Sequence, residues 1–544
     1  MVLDINLFRK EKGGNPDKIK ESERKRFHDE TNVDKVIEYD EKWRKCIFKL
    51  EELKKNINLV NKEIGNKKKE DKNANVEDLK KKNQERDLLK QRNRYLSKVG
   101  NLLHKDVVTS NDEDNNKVVT TWGVCKRLEV TTDETSEGNK GSKGDSKDGG
   151  SNKREVPTSS SNGGAVHPNG GIVGSGGKKY YYHFDLLRKI GGANFKKGIQ
   201  VAGHRGYYLT GAGFLLHNAI LQYAINFLVN KNYTPVYPPF FMKKNIMEEC
   251  AELDDFEETL YRVASSGGSS STATTGTTSG ASVNRTQNEE LNRDDLFLIA
   301  TSEQPLCALH KDETIESKYL PLKYAGVSSC FRKEAGAHGK DIRGILRVHQ
   351  FDKIEQFCVT LPQTSNKVHK EMMKTCEEFY QSLNIPYRIV SIVSGALNNA
   401  AAIKYDLEGY FPSSNQYREL VSCSNCTDYQ SNNLNVKYVD SNVKISVSDV
   451  KGEGSKKGSN QGDQKGDQKG DRNDYDEVGS DHEEFLKHFQ TESRNNVHLL
   501  NGTMVAAQRF LCCLLENYQN GEGIVVPEKL RPYMNNVEFI PFIE

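Results

Sequence analysis

The apolar positions near the start of the chain keep a seven-residue rhythm. Val36, Trp43, Leu50, Ile57 and Ile64 recur at heptad spacing, and Tyr39, Cys46, Leu53 and Val60 follow three places after each of the first four. A seam of this kind is buried only when a second helix packs along it, so the spacing predicts a coiled-coil strand. The rhythm stops at Gly65-Asn66-Lys67-Lys68-Lys69, crosses the polar stretch EDKNAN, and resumes at Leu79, Leu89, Leu96, Val99 and Leu103. Two such helices about a short polar tip predict an antiparallel hairpin over residues 36–104.

From Lys179 the texture changes to short runs of aromatic and β-branched residues, KYYYHFDLL and GYYLTG, set among helices. The segment GFLLHNAILQYAINFLVNKNYTPVYPPFF predicts an amphipathic helix with Leu216, Ile220, Ala224 and Phe227 on one face, then a strand entering Pro238-Pro239. DLFLIA, LKYAGVSSCFRKE, ILRVHQFDKIEQFCV, YRIVSIV, YRELVSCS and VHLLNGT read as further strands. They lack a regular strand–helix–strand alternation, which favours an antiparallel or mixed sheet flanked by helices. The fold class expected is therefore α+β, a helical hairpin followed by a sheet domain.

Three segments have almost nothing to bury: 132–178, rich in Gly, Ser, Lys and Asn; 264–283, nearly pure Ser, Thr, Gly and Ala; and 441–482, with the tandem GDQKGDQKGD. Such compositions do not offset the conformational entropy of ordering, and they predict flexible insertions. The expected organisation is an N-terminal domain over 1–131, a linker over 132–178, and a second domain over 179–544 interrupted by the other two insertions.

Charge adds a polarity that the total conceals. The 544 residues carry 78 Lys+Arg and 76 Asp+Glu, a net charge of +2, yet residues 1–110 hold 29 basic against 21 acidic side chains. Residues 41–100 alone hold 19 against 10. A solvated coiled-coil surface explains some of this, but an excess of nine positive charges on the hairpin favours an arm that binds nucleic-acid phosphates. No apolar run approaches the roughly 20 residues that span a bilayer, which argues against a membrane protein. The first residues, MVLDINLFRKEKGG, lack the apolar core of a secretion signal, so a cytoplasmic location is expected. The eleven scattered cysteines, with Cys512 beside Cys513, read as reduced thiols.

Candidate chemistry lies in three places. The first is the strand–loop–strand segment SSCFRKEAGAHGKDIRGILRVHQFDKIEQF, with Gly336, Gly339 and Gly344 in its loop. Its Arg332, Arg343 and Arg347 are permanently charged forks suited to phosphate oxygens, Glu334 and Glu355 lie near the strand ends, and Phe351 offers a flat face for a base. A solvated turn is the alternative reading of the same composition. The second is YRELVSCSNCTDYQ, where Glu419 and Ser422 could hold Mg²⁺ when substrate phosphates complete its shell. The third is NGTMVAAQRFLCCLLENYQ, a turn into a helix that carries Arg509 towards a phosphate or into a salt bridge. Cys423-x-x-Cys426 resembles half of a zinc site, but no second pair stands at ligand spacing, and no zinc is expected.

Taken in order, these segments resemble the seryl-tRNA synthetases of the cytosolic eukaryotic type, which belong to class II. The resemblance starts at LDINLFRKEKGGNP, runs through the arm, and covers essentially the whole chain outside the insertions. The three class II signatures are matched by GFLLHNAILQYAINFLVNKNYTPVYPPFF, FRKEAGAHGKDIRGILRVHQFDKIEQF and NGTMVAAQRFLCCLLENYQ, and the serine-specific Thr-Ser-Glu by residues 301–303.

The resemblance implies a ligase that activates L-serine with MgATP and transfers it to the terminal adenosine of tRNA-Ser, with tRNA-Sec a further substrate where it exists. It places Arg332, Lys333, Glu334, Arg347, Val348, His349, Gln350, Phe351, Glu419, Leu420, Val421, Ser422 and Arg509 around ATP, with Glu419 and Ser422 as the Mg²⁺ positions. Arg332, Arg347 and Arg509 are the catalytic cations it implies. Thr301, Ser302, Glu303, Arg332, Glu355, Asn501 and Thr503 match the serine pocket. The arm, with Lys67, Lys68, Lys69, Lys80, Lys81 and Lys82, is implied to meet the long variable arm of tRNA-Ser, in a homodimer that needs no membrane. A catalytically inactive RNA-binding relative is the alternative, although all the implied active-site residues are present.

Overall fold

A computed structural model describes residues 2–64, 72–126, 171–173, 179–251, 259–263, 295–334, 343–440 and 494–543, with side chains of 52–80 outside that description. The insertions expected at 264–283 and 441–482, and Lys67, Lys68 and Lys69, lie outside the described residues. Within the linker expected at 132–178, Gly171–Val173 pairs as a short strand with Lys179–Tyr181.

The N-terminal heptads form helix α1 (Thr31–Ile64), and the return leg is α2 (Lys72–Leu96). Their antiparallel packing is fixed by cross-helix pairs: Tyr39 stacks on Tyr95 with ring centroids 5.6 Å apart, and Trp43 donates to Glu85 Oε1 at 3.1 Å beneath the Arg92 guanidinium. Val36, Cys46 and Leu50 of the seam are buried. Leu53, Ile57, Val60, Ile64 and Leu79 lie where side chains are not described. The second helix starts at Lys72 rather than at Leu79, so four of the six residues of EDKNAN are helical. The hydrophobic rhythm marks where a helix has a face to bury, and Ala74 and the lysines beyond it are good helix formers that extend the helix beyond that rhythm. At the arm's foot, buried Asp40 accepts from Arg9 at 2.7 and 2.8 Å and meets Arg44 and Arg92 at 3.0 and 3.4 Å. Burial opposes its charge, but the three guanidiniums outweigh this and hold the carboxyl below its usual range.

The second domain is built on an eight-stranded sheet. Its strands are β1 (Lys117–Trp122), β2 (Thr234–Val236), β3 (Leu322–Phe331), β4 (Gln350–Thr360), β5 (Tyr387–Ser391), β6 (Ile403–Phe411), β7 (Gln416–Asn425) and β8 (His498–Ala506). Their spatial order is β1-β5-β6-β7-β8-β4-β3-β2, antiparallel throughout except for β2 against β3. The edge strand β1 comes from the segment that follows the arm, so the arm is stitched into the sheet it precedes. Helices α3 (His183–Lys189), α4 (Gly211–Val229), α5 (Ser365–Ser382) and α6 (Ala507–Tyr518) pack on the sheet, with Leu216, Ile220, Met372, Phe379, Phe510 and Leu514 among the core residues. By length and composition α4 is apolar enough to cross a membrane, contrary to the expectation that no run approaches that length. Here Leu216, Ala219, Ile220, Ala224 and Leu228 are buried against the sheet and its neighbours.

Two β-bulges break the ladder beside the polar residues that matter. One lies between Ile354 and Glu355 where β4 meets β8, the other between Leu407 and Glu408 where β6 meets β7 beside Glu419. A bulge puts two residues opposite one and re-aims the side chains on either side.

Candidate active site

Strands β3 and β4, the loop between them, β7, β8 and the start of α6 enclose a polar cavity of about 300 Å³. Arg332, Glu334, Arg347, Val348, Phe351, Lys353, Glu419, Leu420, Thr503, Gln508 and Arg509 are among its lining residues. The Arg332 guanidinium lies over the Phe351 ring at 5.3 Å and donates through Nε to the Ala300 carbonyl at 3.3 Å. Arg347 pairs with Glu334, and Arg509 donates to the Glu419 carbonyl at 3.0 Å and approaches Glu419 Oε1 at 3.4 Å. Glu334 is held at φ +52°, an uncommon conformation for a side chain of its size. The return leg of the loop depends on Gly344, at φ +75°, where a Cβ would come within 2.9 Å of the His183 ring. His183 Nε2 donates to the Arg343 carbonyl at 3.4 Å and its Nδ1 meets Glu516 of α6 at 3.0 Å, so one imidazole links the loop to the helix that carries Arg509.

Beside this cavity lies a buried cluster of polar side chains built around Glu355 and Glu303. Glu355 Oε2 accepts from Thr301 Oγ1 at 2.6 Å, Ser302 Oγ at 3.1 Å and the Glu303 N–H at 2.8 Å, while its other oxygen pairs with Lys353. Burial opposes charge on Glu355, but Lys353 and the hydroxyls outweigh it and hold the carboxyl below the ordinary range. Glu303 Oε1 accepts from Asn501 Nδ2 at 2.9 Å and from Gln430 Nε2 at 3.1 Å. Its carboxyl is pushed up to about 7 by burial and by neighbouring Glu355. Gly326, paired with Glu355 across β3 and β4, allows this approach, since a Cβ there would meet Ser302 Oγ at 2.6 Å.

Most of the residues chosen from sequence thus converge, with some differences. His349 and Gln350, expected on the ATP wall, line a neighbouring cavity of about 470 Å³ instead, where buried His217 meets Asp352 at 3.2 Å. Strand alternation turns Gln350 to the other face from Phe351, while His349 lies just before the strand begins. Lys333 donates its backbone N–H to the Thr259 carbonyl, and Val421 is buried in the core. Lys353, Gln430, Gln508 and Asp406 were not singled out. Lys353 was within reach, because it stands two residues before Glu355 on one strand and so shares its face. Gln430 gave no signal, since its role comes from a turn that packs against a distant strand.

Asp406 stands opposite Ser422 across β6 and β7. It is buried, its Oδ1 has no hydrogen-bond partner among the described residues, and burial with Glu419 nearby pushes its carboxyl up to about 7. Glu419, Ser422 and this orphaned oxygen are hard ligands of the kind Mg²⁺ takes, so the residues present fit that ion. Among the described residues, no group of three or more His, Cys, Asp or Glu side chains forms a complete metal cage.

Residues 285–450 match the family model described as tRNA synthetase class II core domain (G, H, P, S and T), so the sheet and its cavity are those of a class II aminoacyl-tRNA synthetase. Residues 2–111 match the seryl-tRNA synthetase N-terminal domain. The chain is 40% identical to the serine–tRNA ligase of Helianthus annuus, covering 100% of this chain and 99% of that one, and 39% identical to the cytoplasmic serine–tRNA ligase of Arabidopsis thaliana, over 99% and 96%. It is similar in structure to the cytoplasmic serine–tRNA ligase of Naegleria fowleri in complex with AMP, with a TM-score of 0.69, 39% identity and full coverage of both chains. The seryl-tRNA synthetase of Pyrococcus horikoshii complexed with ATP gives the same TM-score at 28% identity, again over both chains in full. The chain belongs to the serine–tRNA ligase family.

Proposed function

We propose that the cavity holds ATP, that the polar cluster beside it receives serine, and that the chain charges tRNA-Ser in two steps. The observation that carries this reading is the junction between them: Arg332 and Lys353 line the cavity while Arg332 bonds Ala300 beside Thr301 and Lys353 pairs with Glu355. A carboxylate held there meets the α-phosphate of a nucleotide with cations on both sides. Serine carboxylate attacks the α-phosphorus, seryl-adenylate forms and pyrophosphate leaves; the hydroxyl of the terminal adenosine then takes the seryl group and AMP is released. The attack needs little acid–base chemistry and chiefly needs alignment and positive charge around a charge-rich transition state.

Arg332 bridges the serine carboxylate and the α-phosphate, Phe351 stacks on adenine and Glu334 faces its edge. Arg347 and Arg509 now lie on Glu334 and Glu419. A triphosphate takes over as their partner, because a polyanion outcompetes one carboxylate for a guanidinium fork. Glu419 and Ser422, with Asp406 behind them, would hold Mg²⁺, which neutralises phosphate oxygens when bound. Glu303 and Glu355 receive the ammonium and hydroxyl of serine with Thr301, Ser302, Asn501 and Thr503 around them. Because these groups need polar partners, an alanine in their place leaves them unpaired and is rejected.

The arm meets tRNA through its phosphates, with Lys80, Lys81 and Lys82 on α2 and Lys67, Lys68 and Lys69 before that helix in the sequence. Phe214 and Leu215 of α4, with Tyr237 and Phe241 beyond it, remain exposed and support a homodimer through this face. The setting is the cytoplasm, as in the names of the Arabidopsis and Naegleria relatives.

Serine-dependent ATP–pyrophosphate exchange tests the reading. The wild-type chain should exchange only with serine present, and Arg332→Ala should lose the activity. Folded protein that shows no exchange with serine and Mg²⁺ would sink it.

A further inference from the structure

The foot of the arm grips the turn that supports the serine pocket. Asn101, 2% exposed, reaches with Nδ2 to the carbonyls of Ala400 and Cys426, both at 2.8 Å, and to Thr427 Oγ1 at 2.9 Å. The Tyr429 hydroxyl donates to the Val99 carbonyl at 2.7 Å, and the Val2 N–H donates to the Tyr429 carbonyl at 3.3 Å. Cys426 and Tyr429 share one apolar cluster with Val33, Val36, Leu96 and Val99 of the N-terminal domain. Between them Thr427 sits at φ +47°, a costly conformation for a β-branched residue that persists only where the surroundings over-determine it.

The same turn faces the pocket on its other side. Gln430 Nε2 donates to Glu303 Oε1 at 3.1 Å, and Cys426 Sγ accepts from Asn501 Nδ2 at 3.4 Å while that amide also donates to Glu303 at 2.9 Å. One face of a five-residue turn, 426–430, is therefore held by the N-terminal domain, and the other holds two partners of Glu303. We propose that the foot of the arm is a working part of the serine subsite, with Asn101 and Tyr429 as positioning residues that set Gln430 and Asn501 on Glu303. Cys426, which the sequence offers as half of a zinc site, serves here as the sulfur acceptor beneath Asn501. The nucleotide cavity is walled by other residues, so disturbing this turn should alter serine binding and spare ATP binding.

This inference rests on the serine reading above, and exchange assays on the full-length chain separate the two. Wild-type protein without serine-dependent exchange would remove the activity reading. Wild-type exchange with unchanged serine KM in the variants would remove only the present inference. Asn101→Ala should raise KM for serine about tenfold, the scale of one buried hydrogen bond removed, with KM for ATP within about twofold of wild type. Tyr429→Phe keeps the ring and loses only the hydroxyl on Val99, and should raise serine KM about threefold at an unchanged thermal midpoint. If Asn101→Ala does not fold, Tyr429→Phe carries the test alone. Ser394→Ala is the control, removing a bond to the Lys25 carbonyl at the same domain junction but outside the turn. Its serine KM should stay at the wild-type value. Parallel rises in serine and ATP KM, or a rise in Ser394→Ala equal to that in Tyr429→Phe, would overturn the proposal.

Discussion

Glu303 is a carboxyl that the fold keeps from ionising easily, and the proposed serine site has to work against that. With its pKa pushed up to about 7, its charge appears only as the pH rises through neutrality. An ammonium ligand needs the ionised form, so kcat/KM for serine should fall as pH drops below about 7, and Glu303→Gln should lose this limb along with much of its serine affinity. Stability runs the other way. A carboxyl with a raised folded pKa binds its proton more tightly when folded, so its contribution declines as pH rises from about 4.3, the unfolded value, towards 7. Urea midpoints between pH 5 and 7.5 should therefore vary less in Glu303→Gln than in wild type, and an equal slope in both would contradict the assignment. The identity of Glu303 was legible from Thr-Ser-Glu, but its titration was not, because Glu355, Gln430 and Asn501 come from three other parts of the chain.

Among the elements, those with strong periodicity were the most readable. The arm's seam, the amphipathic α4 and the long strands β3 and β4 all stand close to where alternation or heptad spacing put them. Bulges were not readable, since one extra residue on β7 or β8 leaves no mark on composition, and they decide how Glu355 and Glu419 are aimed. The arm also shows why charge patterning is informative: Lys81 and Lys82 stand on α2, and Lys67, Lys68 and Lys69 precede that helix in the sequence. Replacing those five lysines by glutamine should leave serine-dependent exchange unchanged and weaken tRNA charging. The dependence of charging on log salt should become shallower, since an arm that neutralises fewer phosphates releases fewer counterions. An equal loss of exchange and charging would argue against an arm dedicated to RNA.

At the scale of the whole molecule, the α+β class followed from the order of helical and strand-like segments, while the joints between domains did not. The Asn101 contacts and the addition of β1 to the sheet link residues hundreds of positions apart, and no local pattern encodes them. The exposed apolar residues around α4 are where the proposed homodimer would close. Phe214 is 51% exposed and Tyr237 is 75% exposed, the first on a helix whose other face is buried in the core and the second on the segment that follows it. Sedimentation equilibrium should give twice the chain mass for wild type and the single-chain mass for Phe214→Glu, because a charge there would be desolvated on association. A wild-type protein that sediments at the single-chain mass would refute the dimer.

The stitching of β1 into the sheet also sets an order of events during synthesis. Lys117–Trp122 leaves the ribosome long before Tyr387–Ser391, its partner, has been made. Until then the nascent chain carries a strand with Val118 and Val119 and no neighbour to pair with, and contacts so distant in sequence form slowly. The arm's two helices make local contacts and can form early, whereas its foot stays unseated until β5, β6 and the turn at 426–430 emerge. A growing chain thus presents its helical arm well before it has the sheet and the turn that seat it.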